Sequence, residues 1–239
     1  PPAAADDAAE RRARAAAEIE ASFKSAVVSN VELEDGKVDW ESTSENGDPV
    51  GMPLGLAYGV EIYKVLKQVH PDVDISKQAL SLMDSLLCDV RGKIIQALPA
   101  STDHTLTSSE VQKAVVEKVG SKELSKHAVS DGIKALTKYG SSARVRDASM
   151  SAHAGLQFPV DRVAHFLEVE SGYARPEDND AAAVYLTAVI EYMCAEIVEL
   201  SGNAARDNSC ATIITPHIQL SIYRDGELNE VFPQAAAAA

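Results

Sequence analysis

Cysteine is scarce in this chain: Cys88, Cys194 and Cys210 lie far apart and are odd in number. That argues against a disulfide-stapled secreted scaffold and fits a reducing compartment. No run approaches the roughly 18 apolar residues that a membrane span needs. Near the beginning, Asp6, Asp7, Glu10, Arg11 and Arg12 interrupt the alanines, so no signal-peptide core is formed. The expectation is a soluble intracellular protein with no membrane partner. Catalytic and metal signatures are missing as well. Six histidines and three cysteines show no CxxC or HExxH spacing, and no glycine-rich phosphate loop occurs. The chain therefore reads as no enzyme, with no metal and no cofactor. Positive charge is also short, at 22 Lys and Arg against 36 Asp and Glu, for a net charge of −14.

What is present is an ordinary globular composition, 46% hydrophobic and 24% charged over 239 residues. That length suits one large domain or two small ones and excludes collagen-like or wholly disordered chains. The charge is unevenly spread. Residues 1–49 carry 12 acids and 5 bases, residues 50–142 carry 10 and 11, and residues 143–239 carry 14 and 6. Only the middle segment is neutral to slightly basic. On charge alone, nucleic acid is a poor guess for a partner.

Residues 5–28 read as an alanine-rich helix, with Asp7–Arg11 and Glu10–Arg14 as acid-first pairs four apart. Val31 and Leu33, then Asp35-Gly36, then Val38 and Trp40 alternate around a tight-turn dipeptide, which signals a hairpin. Residues 41–55 read as an acidic linker rich in Ser, Gly and Pro. From residue 56 the pattern is helical. A short helix over 56–69 stops at His70-Pro71-Asp72. Ser76 caps a long helix with an apolar stripe of Ala79, Leu82, Leu86, Val90 and Ile94, ended by Pro99. Thr107 and Glu110 form a capping-box pair that opens a short helix to Val119. Ser121 starts another helix that reaches Tyr139, with Gly140 as its stop.

Residues 159–232 repeat the scheme. Pro159 opens a short helix to Glu170. A long helix from Asp180 to Ala205 follows, with Leu186, Ile190, Met193, Ile197, Leu200 and Ala204 on one stripe. Thr215-Pro216 then opens a short helix to Arg224. Neither long helix can bury its stripe within its own half, so the two halves should pair.

The segments YKVLKQVHPD (Tyr63–Asp72) and LSKHAVSDGIKALTKYGSS (Leu124–Ser142) closely resemble core histone 2B. AGLQFPVDRV (Ala154–Val163), VYLTAVIEYMCAEIVELSGNAARDN (Val184–Asn208) and HIQLSIYRDGELN (His217–Asn229) closely resemble core histone 2A. The resemblance covers residues 56–232 and is similar to the fused 2B–2A doublets of Marseillevirus-type giant DNA viruses. It implies an all-α fold: two histone folds in one chain, short–long–short helices each, paired in a handshake with an N-terminal helical extension. The implied domains are an extension over 1–55, a 2B-like fold over 56–142, a connector over 143–150, a 2A-like fold over 151–232 and an alanine-rich tail over 233–239. Tethering the halves makes their pairing intramolecular, at high effective concentration.

DNA contact in this family uses helix N-termini aimed at phosphates and arginines in the minor groove. Carried over by position, the resemblance implies DNA-binding roles for Arg162, for Ser76 and Lys77 at the start of the first long helix, for Thr105 and Thr107, and for Lys64 and Lys67. The alternative for each is a solvated surface group. Departures weaken the DNA surface. The basic loop before the last short helix is here Ser209–Thr212 (SCAT), a basic pair has become Asp103-His104, and arginine positions hold His165 and Glu168. The family's acidic patch, which docks arginines of partners, maps to Glu191, Glu196, Glu199, Asp225, Glu227, Glu123 and Asp131, with Gly226 as one loss. By 100° per residue, Glu191, Glu196 and Glu199 fall within about 140° on one helix face. The bland reading is a solvated face. His70, His127 and His217 match ordinary histone positions and read as structural, and Cys88 and Cys194 as packing thiols.

The leading expectation is a structural DNA-packaging protein, with double-stranded DNA, a histone 4–histone 3 pair or doublet and a second copy of the chain as partners in a nucleosome-like particle. That particle should be less stable than its eukaryotic counterpart. Arginine-anchored partners would sit on the acidic patch. The expected location is the host nucleus or viral factory, and the virion. The alternative is a histone mimic or interaction module that binds histones or chaperones without stable DNA wrapping.

Overall fold

Side chains that catch unpaired N–H groups set where several helices begin. The computed structural model describes residues 38–44, 48–99, 105–120, 122–141, 149–173 and 180–235. The carboxylate of Asp84 accepts from the backbone N–H groups of Ala57 and Tyr58, at 3.1 and 2.6 Å, just ahead of α1 (Gly59–Val69). Ser76 Oγ accepts from Ala79 N at 3.2 Å and opens α2 (Lys77–Gln96), as its sequence position predicts. Thr107 and Glu110 form the expected capping box on α3 (Ser108–Val119).

Helix α4 (Glu123–Ser141) runs through Gly140, so that glycine is not the stop it was expected to be; Ser141 Oγ instead bonds Lys138 O inside the last turn. A single turn, α5 (Met150–Ala154), precedes α6 (Val160–Ser171). The long α7 (Ala181–Asp207) is followed by α8 (Thr215–Arg224) and by α9 (Gly226–Val231), which Asp225 caps by accepting from Glu227 N and Leu228 N. Neither α5 nor α9 shows enough periodicity in sequence to be read as a helix.

Four short strands complete the fold. β1 (Asp39–Thr43) pairs antiparallel with β2 (Pro49–Val50) through an irregular register. The strand holding Trp40 is thus paired with downstream residues, and part of the stretch read as linker over 41–55 is strand. The expected alanine-rich helix over 5–28, the Asp35-Gly36 turn, Asp103-His104 and residues 143–148 of the connector lie outside the described residues. β3 (Asp74–Ile75) pairs parallel with β4 (Thr212–Ile213), joining chain segments more than a hundred residues apart.

The chain divides into two compact units, one of residues up to Asp84 together with those from Ile197 onward, the other Ser85–Glu196. Each unit draws on both sequence halves. The first buries Ile62, Leu66, Leu80 and Met83 from the 2B-like half with Ile213, Ile218, Ile222 and Phe232 from the 2A-like half. The second buries Leu87, Val90, Ile94 and Val115 with Phe158, Val163, Leu186 and Ile190. Leu86 and Ile190, expected in the core, are 7% and 0% exposed. Helix α7 is long and apolar enough to cross a membrane, with a mean hydropathy of 1.6 in its most apolar window, but 72% of that window is buried inside the protein. It is a core helix.

Candidate nucleic-acid interface

The seven residues with implied DNA roles fall into two groups. Ser76, Lys77, Lys64 and Lys67 lie in the first unit, and Thr105, Thr107 and Arg162 lie in the second.

In the first unit, the β3·β4 pairing carries the loop after α1 to the loop before α8. Asp74 N donates to Ala211 O at 2.8 Å and Ser76 N donates to Ile213 O at 2.9 Å. This sets the positive end of α2, with Ser76 and Lys77, beside the SCAT loop, whose turn places Ser209 at a φ of 56°. A backbone held this way can offer N–H dipoles to a phosphate, although the loop itself adds no charge. Ser76 is buried and its hydroxyl is spent on the cap. Lys77 is half-buried, with its carbonyl accepting from Ser81 Oγ at 3.0 Å, and Lys64 is exposed; the ammonium of neither is paired among the described residues.

Lys67 is used differently. Its Nζ donates to Val73 O and to the Asp74 carboxylate, both at 2.8 Å, and lies 5.2 Å from the Tyr63 ring centroid. Its charge is matched inside the fold, where it holds the turn that leads into β3. Arg206 is likewise paired with Asp72, and this guanidinium keeps the Asp72 carboxyl below its usual range.

In the second unit, Thr105 is exposed and Thr107 is engaged in its capping box, accepting from Glu110 N at 3.3 Å and bonding the Glu110 carboxylate. Arg162 stands exposed on the first turn of α6. The entry to that helix is tightly organised. Glu191 Oε2 accepts from Gln157 N and Phe158 N, at 2.7 and 2.9 Å, and Ser151 Oγ accepts from Val160 N at 2.9 Å.

The implied acidic patch is also distributed: Glu199, Asp225 and Glu227 in the first unit, Glu191, Glu196, Glu123 and Asp131 in the second. Most of these acids have internal work. Burial pushes the Glu191 carboxyl up, against the two backbone donors that favour its charge. Glu123 pairs with Lys126 and Asp131 with Lys134, each at 2.6 Å one turn apart, and the lysine holds Glu123 below its ordinary range. Asp225 is the cap of α9. Glu199 is exposed, its carboxylate has no partner among the described residues, and its carbonyl accepts from His70 Nε2 at 3.0 Å. Beside it in the first unit, a groove of about 280 Å³ is lined by Leu200, Asn203, Leu220, Arg224 and Asp225.

Arg91 has structural weight that no sequence signal marks, and Trp40 and His217, which the sequence does mark, take partners that no local pattern shows. Arg91 is 7% exposed, stacks 3.7 Å from the Phe166 ring centroid and donates to Glu170 at 2.8 Å. Trp40 stacks face to face on Tyr63 with ring centroids 3.7 Å apart and planes 5° from parallel. His217 is buried, and its Nδ1 accepts from Ile214 N at 3.1 Å ahead of α8. Among the described residues, no group of three or more His, Cys, Asp or Glu is placed to hold a metal.

No family model matches the chain. Among curated proteins it is similar to a histone doublet of Melbournevirus, in which histone 2B precedes histone 2A, at 36% identity over 192 residues, covering 79% of this chain and 68% of that one. With helices in that order and both halves sharing each compact unit, the chain belongs to the viral histone doublets, a 2B-like half preceding a 2A-like half.

Proposed function

We propose that this histone doublet, a member of a structural family with a DNA-packaging role, forms half of a nucleosome-like particle with a histone 4–histone 3 pair or doublet. A second copy of the chain completes the particle. The two folds span residues 56–142 and 151–232, flanked by an extension over 1–55, a connector over 143–150 and a tail over 233–239. The observation that carries the reading is the parallel pairing of Asp74 and Ile75 with Thr212 and Ile213, which draws the two halves into one unit beside the N-terminus of α2. Two paired loops next to a helix N-terminus supply backbone donors to successive phosphates without base readout.

DNA contact would come from Arg162, Thr105 and Thr107 in one unit and from Lys77, Lys64 and the Ser76 cap in the other, with Lys67 acting through the loop it braces. Arginine-bearing partners would dock on the acids around Glu199 and Glu227 in the first unit, with Glu196 among the acids that the second unit offers. The particle would occupy the host nucleus or viral factory and the virion. The test is reconstitution with a histone 4–histone 3 pair and DNA, followed by nuclease digestion. A protected fragment of defined length supports packaging, and its absence refutes it.

One set of observations favours a second reading, a histone or chaperone binder with little wrapping. The SCAT loop has no charge, Lys67 is matched by Asp74, and the chain is net −14. A stable complex with the 4–3 pair that fails to protect DNA would decide for it.

A further inference from the structure

We propose that the β1·β2 strand pair is an acidic strap that lies on α1 and competes with DNA for that surface, held there by Trp40 stacked on Tyr63. The inference rests on the DNA-packaging reading and gives it a regulatory part. Residues 38–50 hold Asp39, Glu41, Glu45 and Asp48 and no Lys or Arg. The cations of α1 are Lys64 and Lys67, next to Tyr63 and one turn beyond it. The stack of Trp40 on Tyr63, at 3.7 Å and 5°, therefore brings β1, with the exposed carboxylates of Asp39 and Glu41, to the part of α1 that carries Lys64, the cation there that Asp74 does not match. Val38, 5% exposed, is the strap's other anchor.

The rest of the strap is poorly held. Asp39, Glu41, Ser42 and Thr43 are exposed, and β2 is only two residues long. A two-stranded pair of this size is marginal in water by itself. Its closed state then depends on the stack, the Val38 contact and charge, so a polyanion of higher charge density can displace it. DNA that needs the open form binds with an apparent affinity reduced by the open fraction.

Trp40 is the chain's only tryptophan, so its emission reports the stack directly. The full chain is titrated with labelled duplex DNA, following both anisotropy and Trp40 emission, alongside Trp40→Ala and a Glu41→Gln, Asp48→Asn double variant. Trp40→Ala changes no charge and should bind roughly three- to tenfold tighter, the range that loss of one aromatic pair supports. The double variant should gain affinity at low salt and lose the gain at high salt, where exposed charges are screened. In the unaltered chain, Trp40 emission should shift as DNA saturates. DNA binding with unmoved emission, or equal affinity in Trp40→Ala, overturns the strap and leaves packaging standing. No binding by any of the three proteins overturns the strap, while nuclease protection of the reconstituted particle decides packaging separately. The emission titration needs no variant, so it decides the case even where Trp40→Ala fails to fold.

Discussion

Two glycines hold aromatic rings at distances no other residue permits. A Cβ on Gly202 would run into the His70 ring, and one on Gly132 would meet the Tyr185 ring at 2.6 Å. Both are helical, where glycine costs about 1 kcal/mol against alanine, so close packing is what they provide. Gly202→Ala should displace His70 from the Glu199 carbonyl, and overpacking of this kind costs about 1–3 kcal/mol in denaturant unfolding. Gly140→Ala is the control, because nothing lies within 4 Å of its Cβ, and it should be neutral or slightly stabilising. His217 supplies the pH dependence. Burial lowers its pKa to about 4 from 6.5, so the fold prefers the neutral ring that accepts from Ile214 N. Its contribution is present above pH 6.5 and is lost as pH falls toward 4, on the order of 3 kcal/mol in all. Glu191 runs the other way: its raised pKa gives a contribution present at low pH and lost as pH rises. Unfolding of His217→Gln followed from about pH 7 to 4 should show a shallower loss than the parent chain; an unchanged slope assigns the loss elsewhere.

At the scale of elements, the second unit is tied together by Arg91, which joins α2 to α6 through Phe166 and Glu170. A planar guanidinium can stack on a ring and bond a carboxylate at once, which an ammonium does poorly. Arg91→Ala should cost about 2–4 kcal/mol, toward the lower side of buried-pair losses because Glu170 remains partly exposed. Arg91→Lys should recover only a fraction, measured by the same denaturation. The long helices carry the core. Leu86→Ala in α2 and Ile190→Ala in α7 should each cost roughly 2–5 kcal/mol, the Ile190 site more if its fully buried surroundings cannot collapse.

For the whole molecule, the balance of charge sets how strongly DNA can be held. Each phosphate contact contributes about 0.9 to the slope of log affinity against log salt. With the SCAT loop uncharged and Lys67 matched by Asp74, the reconstituted particle should dissociate at lower salt and show a shallower slope than a eukaryotic particle on the same DNA. Nuclease protection across a salt series measures both, and equal midpoints with equal slopes would refute the weakened surface.

Local chemistry in the chain determined much of this protein. Ser76 and the Thr107–Glu110 pair mark helix starts because a cap acts over three residues, and the apolar stripes of α2 and α7 mark the buried faces because the helical period is local. The order of short and long helices, and the resemblance to histones 2B and 2A, follow from such residues. Tertiary structure alone decided what the functional side chains are free to do. Lys67 is matched by Asp74, Glu191 serves the entry to α6, and Trp40 rests on Tyr63. It also decided that each compact unit draws on both halves, through a strand pair two residues long whose partners are more than a hundred residues apart. A two-residue strand has no period to read, and a charge looks the same in sequence whether solvent or a buried backbone donor meets it.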